Sequence, residues 1–494
     1  MEDMERIFGL SRALGGTDRV LGRLVLASMV LFIAVMTGLA GSTGSLHMRL
    51  IELCLLFISM LVALHIHFKS PQALLPYALT MWVFSPEIRR FLDWSFRSYT
   101  ETSLISLIPY TVSLVMLIPV IPNIKHLDRR IGLVIKLIGA ALVYGFAIGF
   151  WRYGLSSVFD LLNYVVPFLV LVYVHLTGFS RKTHDQWLRS FSCLAVLVAA
   201  YGIYQYMVLP PWDHFWMTNA EMNSIGIAEP QRFRLFSLLN SPGPAGVFLA
   251  VALAVMVVQK KWRVFGYAGI LLVAFALLLT LVRVGWIACA VMIMAYFFRS
   301  KMKNRLQLLI LAAILLLAYQ FILPVLPGSS QVVSRLDTFS ALEDDHSFNE
   351  RLLFSKHIFT TVLSNPVGMG LGSSGLGAKL TQNDTALIAF DNGYLNIFYT
   401  FGVFFGTVII IFILYLLVSL FKSSKLEKLY TPLSFSIVCV IIFLMMASNV
   451  LRGLSGFVLL LLLALSFTYV DKPSDQKNNG RSNIAYRIPR RFNN

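Results

Sequence analysis

Ser347-Phe-Asn-Glu-Arg351, Asn365-Pro-Val-Gly-Met-Gly-Leu-Gly-Ser-Ser-Gly375 and Phe390-Asp-Asn-Gly-Tyr-Leu-Asn396 belong to one stretch, Leu326 to Gly402, that separates two strongly apolar runs. Ser347 and Glu350 have the spacing of a capping box, which predicts a helix starting there with Arg351 in its first turn. Beyond it, Leu352, Phe354, Ile358, Phe359, Val362 and Leu363 fall largely on one side, while Arg351, Ser355, Lys356 and Thr360 fall mostly elsewhere. That pattern describes a helix lying on a bilayer rather than crossing it. Pro366 and the glycines after it stop the helix, and the chain returns through Asp391 and Asn392 to an apolar span.

The flanking sequence fixes the class. Hydrophobic residues make up 57% of the chain and charged residues 13%, with a mean hydropathy of +0.74, far from soluble averages. A lipid-embedded backbone must satisfy its own hydrogen bonds, so long apolar runs become helices. The expected fold is an all-α polytopic membrane protein with about 12–14 crossing helices and a large outer loop carrying interfacial helices. Candidate spans lie near 22–41, 50–67, 71–85, 104–121, 131–150, 157–176, 188–209, 243–258, 264–281, 284–298, 306–325, 394–421, 432–449 and 453–470. The pair 264–281 and 284–298 reads either as two helices or as one long broken one. No removable signal segment is expected at the amino terminus. Cys54, Cys193, Cys289 and Cys439 lie in apolar runs without disulfide or zinc spacing and read as packing residues.

Basic residues set the orientation. With 1–21 and the basic, disordered tail 471–494 inside, 22–470 forms one membrane domain with outer loops at 210–242 and 327–393. The net charge of +17 is then mostly a topology signal, not a nucleic-acid footprint. Against that bias, Arg49, Arg89, Arg90, Arg97, Arg152, Arg232, Arg234, Arg283, Arg335, Arg351 and Arg452 fall on the outer side, with few lysines among them. A single arginine there snorkels to a headgroup or pairs with a carboxylate. As a set, guanidinium forks suit phosphate, which they bind in bidentate fashion.

Arg283, in Leu277-Leu-Leu-Thr-Leu-Val-Arg-Val-Gly-Trp286, sits inside an apolar stretch where charge is costly and points to function. Arg232-Phe-Arg234 leads through Asn240, Ser241 and a Pro/Gly turn into a span, a helix start suited to anionic oxygens. Gly370-Leu-Gly-Ser-Ser-Gly375 matches a dinucleotide fingerprint in letters only; no strand precedes it, so it reads as a flexible turn or phosphate nest. Pro86-Glu-Ile-Arg-Arg-Phe-Leu-Asp-Trp94 is either a substrate rim or an amphipathic belt.

Arg234-Leu-Phe-Ser-Leu-Leu-Asn-Ser-Pro before a span, Arg283 in its Thr-Leu-Val-Arg-Val-Gly-Trp setting, and a later loop with Arg351, Asn365-Pro-Val-Gly-Met-Gly and Asp391-Asn-Gly-Tyr-Leu together resemble the O-antigen ligase and Wzy-type polymerase superfamily. Tyr201-Gly-Ile-Tyr-Gln-Tyr206 and Pro210-Pro-Trp-Asp213 add a resemblance to exopolysaccharide polymerases of that group, over roughly 200–455. The resemblance implies a GT-C-like inner-membrane glycosyltransferase acting at the periplasmic face on polyprenyl-diphosphate-linked oligosaccharide. Implied partners are membrane lipids, a flippase and a chain-length regulator. Arg283 and Arg351 would match the family's functional arginines, with Arg232, Arg234, Asn240, Gly370, Asn392 and Arg452 as further substrate contacts. The ligase pattern has His where this chain has Asp391, which favours polymerisation over ligation onto lipid A-core or protein; a lipid flippase is the reading from a different class.

The chemistry stands without the family. When an acceptor hydroxyl attacks an anomeric carbon and a lipid diphosphate leaves, negative charge develops on the diphosphate. Fixed arginines stabilise it more in the transition state than in the ground state, so neither a metal nor a cofactor is required. Asp391 could take the hydroxyl proton as a base or cap the next helix; both readings stay open.

Overall fold

The computed structural model describes residues 46–467 except 128, 221–224, 301, 318–319, 322–324, 326–327, 338–345, 376–389, 391 and 423–429. The expected span at 22–41, both terminal segments and Asp391 lie outside the described residues, as does the side chain of Arg351. Described helices are α1 Leu46–Lys69, α2 Leu74–Ser95, α3 Ile108–Leu114, α4 Leu117–Asn123, α5 Arg129–Tyr153, α6 Leu155–Thr177, α7 Arg181–Val208, α8 Pro211–Asn219 and α9 Pro242–Val258. They continue with α10 Gly266–Leu279, α11 Arg283–Arg299, α12 Met302–Leu317, α13 Ser329–Asp337, α14 His346–Ser364, α15 Gly393–Lys422, α16 Thr431–Leu444 and α17 Gly453–Ala464. The one β pairing among the described residues is an isolated bridge between Gly226 and Phe233. Six helical runs are long and apolar enough to cross a membrane, and α9, α10, α16 and α17 are shorter apolar helices. The protein is therefore an all-helical polytopic membrane protein.

Burial explains the shorter helices. α9 and α17 are apolar on all sides and almost wholly buried, as helices inside a bundle must be, whereas α1 shows Leu50, Ile58 and Leu61 on its exterior. The open question over 264–281 and 284–298 resolves as two helices. Gly269, near the start of α10, lies against Met256 at the end of α9, while Gly285, near the start of α11, lies against Gly246 at α9's beginning. α10 is thus antiparallel to α9 and α11 parallel to it, with the reversal at Thr280–Val282, where Leu281 has φ +52°. Of the cysteines expected to be packed, Cys54 and Cys193 are instead exposed and only Cys289 is buried.

The two ends of the bundle differ in chemistry. One gathers Arg49 on Thr102 O, Arg90 on Ser237 O and Leu239 O, Arg152 on Gly368 O and Arg452 on Asp160. At the other, Lys261 and the Trp262 indole meet Asp185, Tyr430 hydroxyl meets the same carboxylate, and Arg299 donates to Phe421 O at the end of α15. These basic residues thus fall into two groups at opposite ends of the bundle.

α14 extends over 346–364 and ends before Pro366, so the expected helix exists and starts one residue before the expected cap. It docks through Ile358 and Val362 onto Phe390 and Tyr399, leaving Leu352, Leu353, Phe359 and Leu363 exposed.

The glycine run after it is no flexible turn. Leu371, Ser373 and Ser374 are fully buried. Met369 and Gly370 donate their amides to Tyr399 O and Thr400 O of α15, and Leu371 donates to Gly145 O of α5. Gly370 has φ +89°, and a Cβ there would stand 2.4 Å from Gly149 N; at Gly149 a Cβ would stand 2.1 Å from Leu371 O. Only glycine on both sides lets the wedge approach the helix. Gly370's amide is therefore committed to Thr400, which corrects its reading as a nest for phosphate.

Candidate functional site

The site is assembled at the arginine end, beginning with the strap 225–241. Arg234 N donates to Ile225 O at 2.7 Å, closing a short hairpin, and Leu235 N donates to Leu279 O at 3.0 Å, laying the strap across the α10–α11 reversal. The Arg234 guanidinium then reaches the carbonyls of Thr280 (3.3 Å) and Leu281 (3.4 Å), a basic group on the last carbonyls of a helix. Two residues later the chain opens α11 with Arg283 itself, half-buried.

α9 and α11 start side by side. A Cβ on Gly285 would lie 3.1 Å from the Gly246 backbone, and one on Gly246 would lie 3.0 Å from Val282, so two glycines let the helices touch near their first turns. Each parallel helix directs the positive end of its dipole the same way, although Pro242 and Pro244 leave Gly243 as the one N–H donor among the first three residues of α9. Two such starts, with Arg234 and Arg283 beside them, form a locus for an anion such as phosphate. Asn240, one residue before the N-cap Ser241, is exposed at this rim. Arg232 is not part of it: exposed, it pairs with Glu229 at 2.6 Å.

Behind the strap lies a charged keystone. Arg90, 1% exposed, holds Asp213 at 2.8 Å and Glu87, and donates to Leu239 O at 2.7 Å and to Ser237 O. Tyr201 hydroxyl donates to Asp213 at 2.7 Å, and the Trp212 indole donates to Glu87 at 2.6 Å. Within Pro86–Trp94, Arg90 is accordingly spent on internal contacts. Arg49 is likewise committed, to Glu52 at 2.7 Å and Thr102 O. Two carboxylates around one guanidinium, buried, hold the Asp213 carboxyl up at about 6, burial being the main cause and Glu87 adding to it against Arg90. A carboxyl raised above its ordinary 3.8 binds its proton more readily folded than unfolded, so acidification from pH 7.5 to 5 favours the fold, by about 1 kcal/mol. The thermal midpoint of the purified protein should therefore rise relative to that of Asp213→Asn over this range; parallel pH profiles would contradict it.

A second polar centre gathers around α6, α15 and α17. Arg452, at the N-cap position of α17, faces Asp160 at 3.4 Å, and Asp160 accepts Gly372 N at 3.1 Å. Nearby, Asn449 donates to Tyr164 hydroxyl and to Asn396 Oδ1, and Asn396 donates to Ser374. Asn392 Oδ1 accepts Leu395 N at 3.1 Å, so Asn392 caps α15, the role that the sequence left open for Asp391. Arg351 sits on the second turn of α14. Sequence reasoning missed Asp160, Asn396 and Asn449; the rule that marked Arg283, an ionisable residue in an apolar span, applies equally to Asp160.

Comparison with curated proteins and with solved structures gives no match. Residues 268–411, from the start of α10 through the α11 arginine, the interfacial helix and the glycine wedge into α15, match the family model described as O-antigen ligase. The chain thus carries the domain of the O-antigen ligase and Wzy-type superfamily, across the part of the fold that holds Arg283 and Arg351.

Proposed function

We propose that the protein polymerises lipid-diphosphate-linked oligosaccharide at the periplasmic face of the inner membrane. The observation that carries this reading is the paired start of α9 and α11, packed Gly246 on Gly285, with Arg234 and Arg283 beside it. A donor diphosphate seated there has its developing charge met by guanidinium groups and the positive ends of two helix dipoles fixed in advance. The acceptor oxygen forms the new glycosidic bond as the anomeric carbon–oxygen bond to the diphosphate breaks. The hydroxyl proton leaves to a base, for which Asp391 is the candidate. Arg351 completes the diphosphate contacts, Arg452 contributes from the second polar centre, and no metal is needed for charge neutralisation. The description of the matched family favours a second reading, ligation onto lipid A-core or protein; a donor-only incubation separates the two.

Orientation has its own test. In a background free of native cysteines, an impermeant thiol reagent on whole cells should label Ser330→Cys, at the start of α13 on the arginine end, and spare Lys260→Cys until the membrane is opened. The reverse pattern would overturn the periplasmic assignment.

A further inference from the structure

Asp160 is a carboxylate in the second turn of α6, 2% exposed, inside a run long and apolar enough to cross a membrane. Such a residue is costly to keep and is retained where it is paired for a purpose. Its two oxygens are divided: one accepts Gly372 N of the wedge at 3.1 Å, the other faces Arg452 Nη1 at 3.4 Å. Arg452 lies over the end of the same wedge, where a Cβ on Gly375 would stand 2.8 Å from Nη2, and its side chain is 20% exposed. Gly375 also has φ +78°, so the wedge ends on a residue that leaves space for the guanidinium. The result is a half-open arginine held from behind by a buried carboxylate, beside the point where the chain leaves the wedge at 375. A guanidinium has five N–H donors in a planar fork, so one edge on a carboxylate leaves another for an anion.

We propose that Asp160 is a positioning residue: it fixes Arg452 against the wedge so that the outward edge of the guanidinium contacts an anionic oxygen of a polyprenyl diphosphate. The inference rests on the substrate class proposed above, and deepens it by adding a residue that acts through Arg452.

The test uses the purified full-length protein with polyprenyl diphosphate for binding and a lipid-diphosphate oligosaccharide for turnover. Asp160→Asn should reach normal membrane abundance, bind polyprenyl diphosphate about ten-fold more weakly and show the loss in KM more than in kcat. The exchanged pair Asp160→Arg with Arg452→Asp distinguishes positioning from structure. If the pair is only an internal ion pair, binding and activity per molecule return in the exchanged protein; under this proposal they stay lost in whatever protein reaches the membrane, abundance being read separately because Asp160→Arg also removes the acceptor of Gly372 N. Near-native binding in the exchanged protein, or in Asp160→Asn, would overturn the inference. Should the wild type bind the lipid yet transfer no glycan, the proposed reaction falls, while the difference between wild type and Asp160→Asn in binding still decides the role of Asp160.

Discussion

Arg283→Ala should abolish polymer formation while leaving the protein at similar abundance in the membrane. Arg283 is half-buried at the first position of α11. The helix is held by its packing on α9 at Gly246 and Gly285 and by the Trp286 indole on Leu277 O at 2.9 Å, none of which needs the arginine. The fold therefore loses little. The reaction loses a fixed cation at the place where a leaving diphosphate would gather charge, an effect of about a thousand-fold when one such donor is removed. Lysine should rescue only part, because a point charge replaces a planar fork. Normal glycan from Arg283→Ala would remove the residue from the mechanism.

How much of this was legible in the sequence depends on the distance between partners. The helices were legible, because apolar runs of membrane length have one stable form, and α14 was legible from local signals, its helical pattern and Pro366. Arg283 stood out because it is a charge among apolar neighbours. Arg90 could not be separated from the other outer arginines: its partners Asp213, Ser237 and Leu239 lie far along the chain, and only the fold shows that they consume it. Distance also hid the partners of Arg234, laid on the α10–α11 reversal, and so its difference from Arg232, spent on Glu229 three residues away. The glycines of 368–375 read as a loose turn because glycine permits both freedom and close approach; Gly145 and Gly149 on α5, the other half of the contact, carry no signal by themselves. Asp160 was legible and overlooked, since a single acid in an apolar span obeys the same rule as a single arginine.

The packing of the wedge also bears on how the site is held together. Gly370, Leu371 and Gly372 tie α15, α5 and α6 to one segment, and that segment leads directly from the interfacial helix carrying Arg351. The strap does the same on the other side, joining α2, α7 and the α10–α11 reversal through Arg90, Gln205 and Leu235. The groups proposed to act on the diphosphate thereby gain the fixed geometry of the bundle, which charge stabilisation in a transition state requires.

The central claim is a glycosyl transfer in which one lipid-diphosphate molecule supplies the leaving group and another the attacking hydroxyl. Incubation of the purified protein with a lipid-diphosphate oligosaccharide alone, with mass analysis of the glycan, tests it most directly. The account predicts a ladder of products separated by one repeat unit, formed equally in the presence of EDTA and absent with Arg283→Ala. Glycan that lengthens only when lipid A-core or protein is supplied would contradict polymerisation in favour of ligation, and lipid that is moved across vesicles with its mass unchanged would contradict the enzyme altogether.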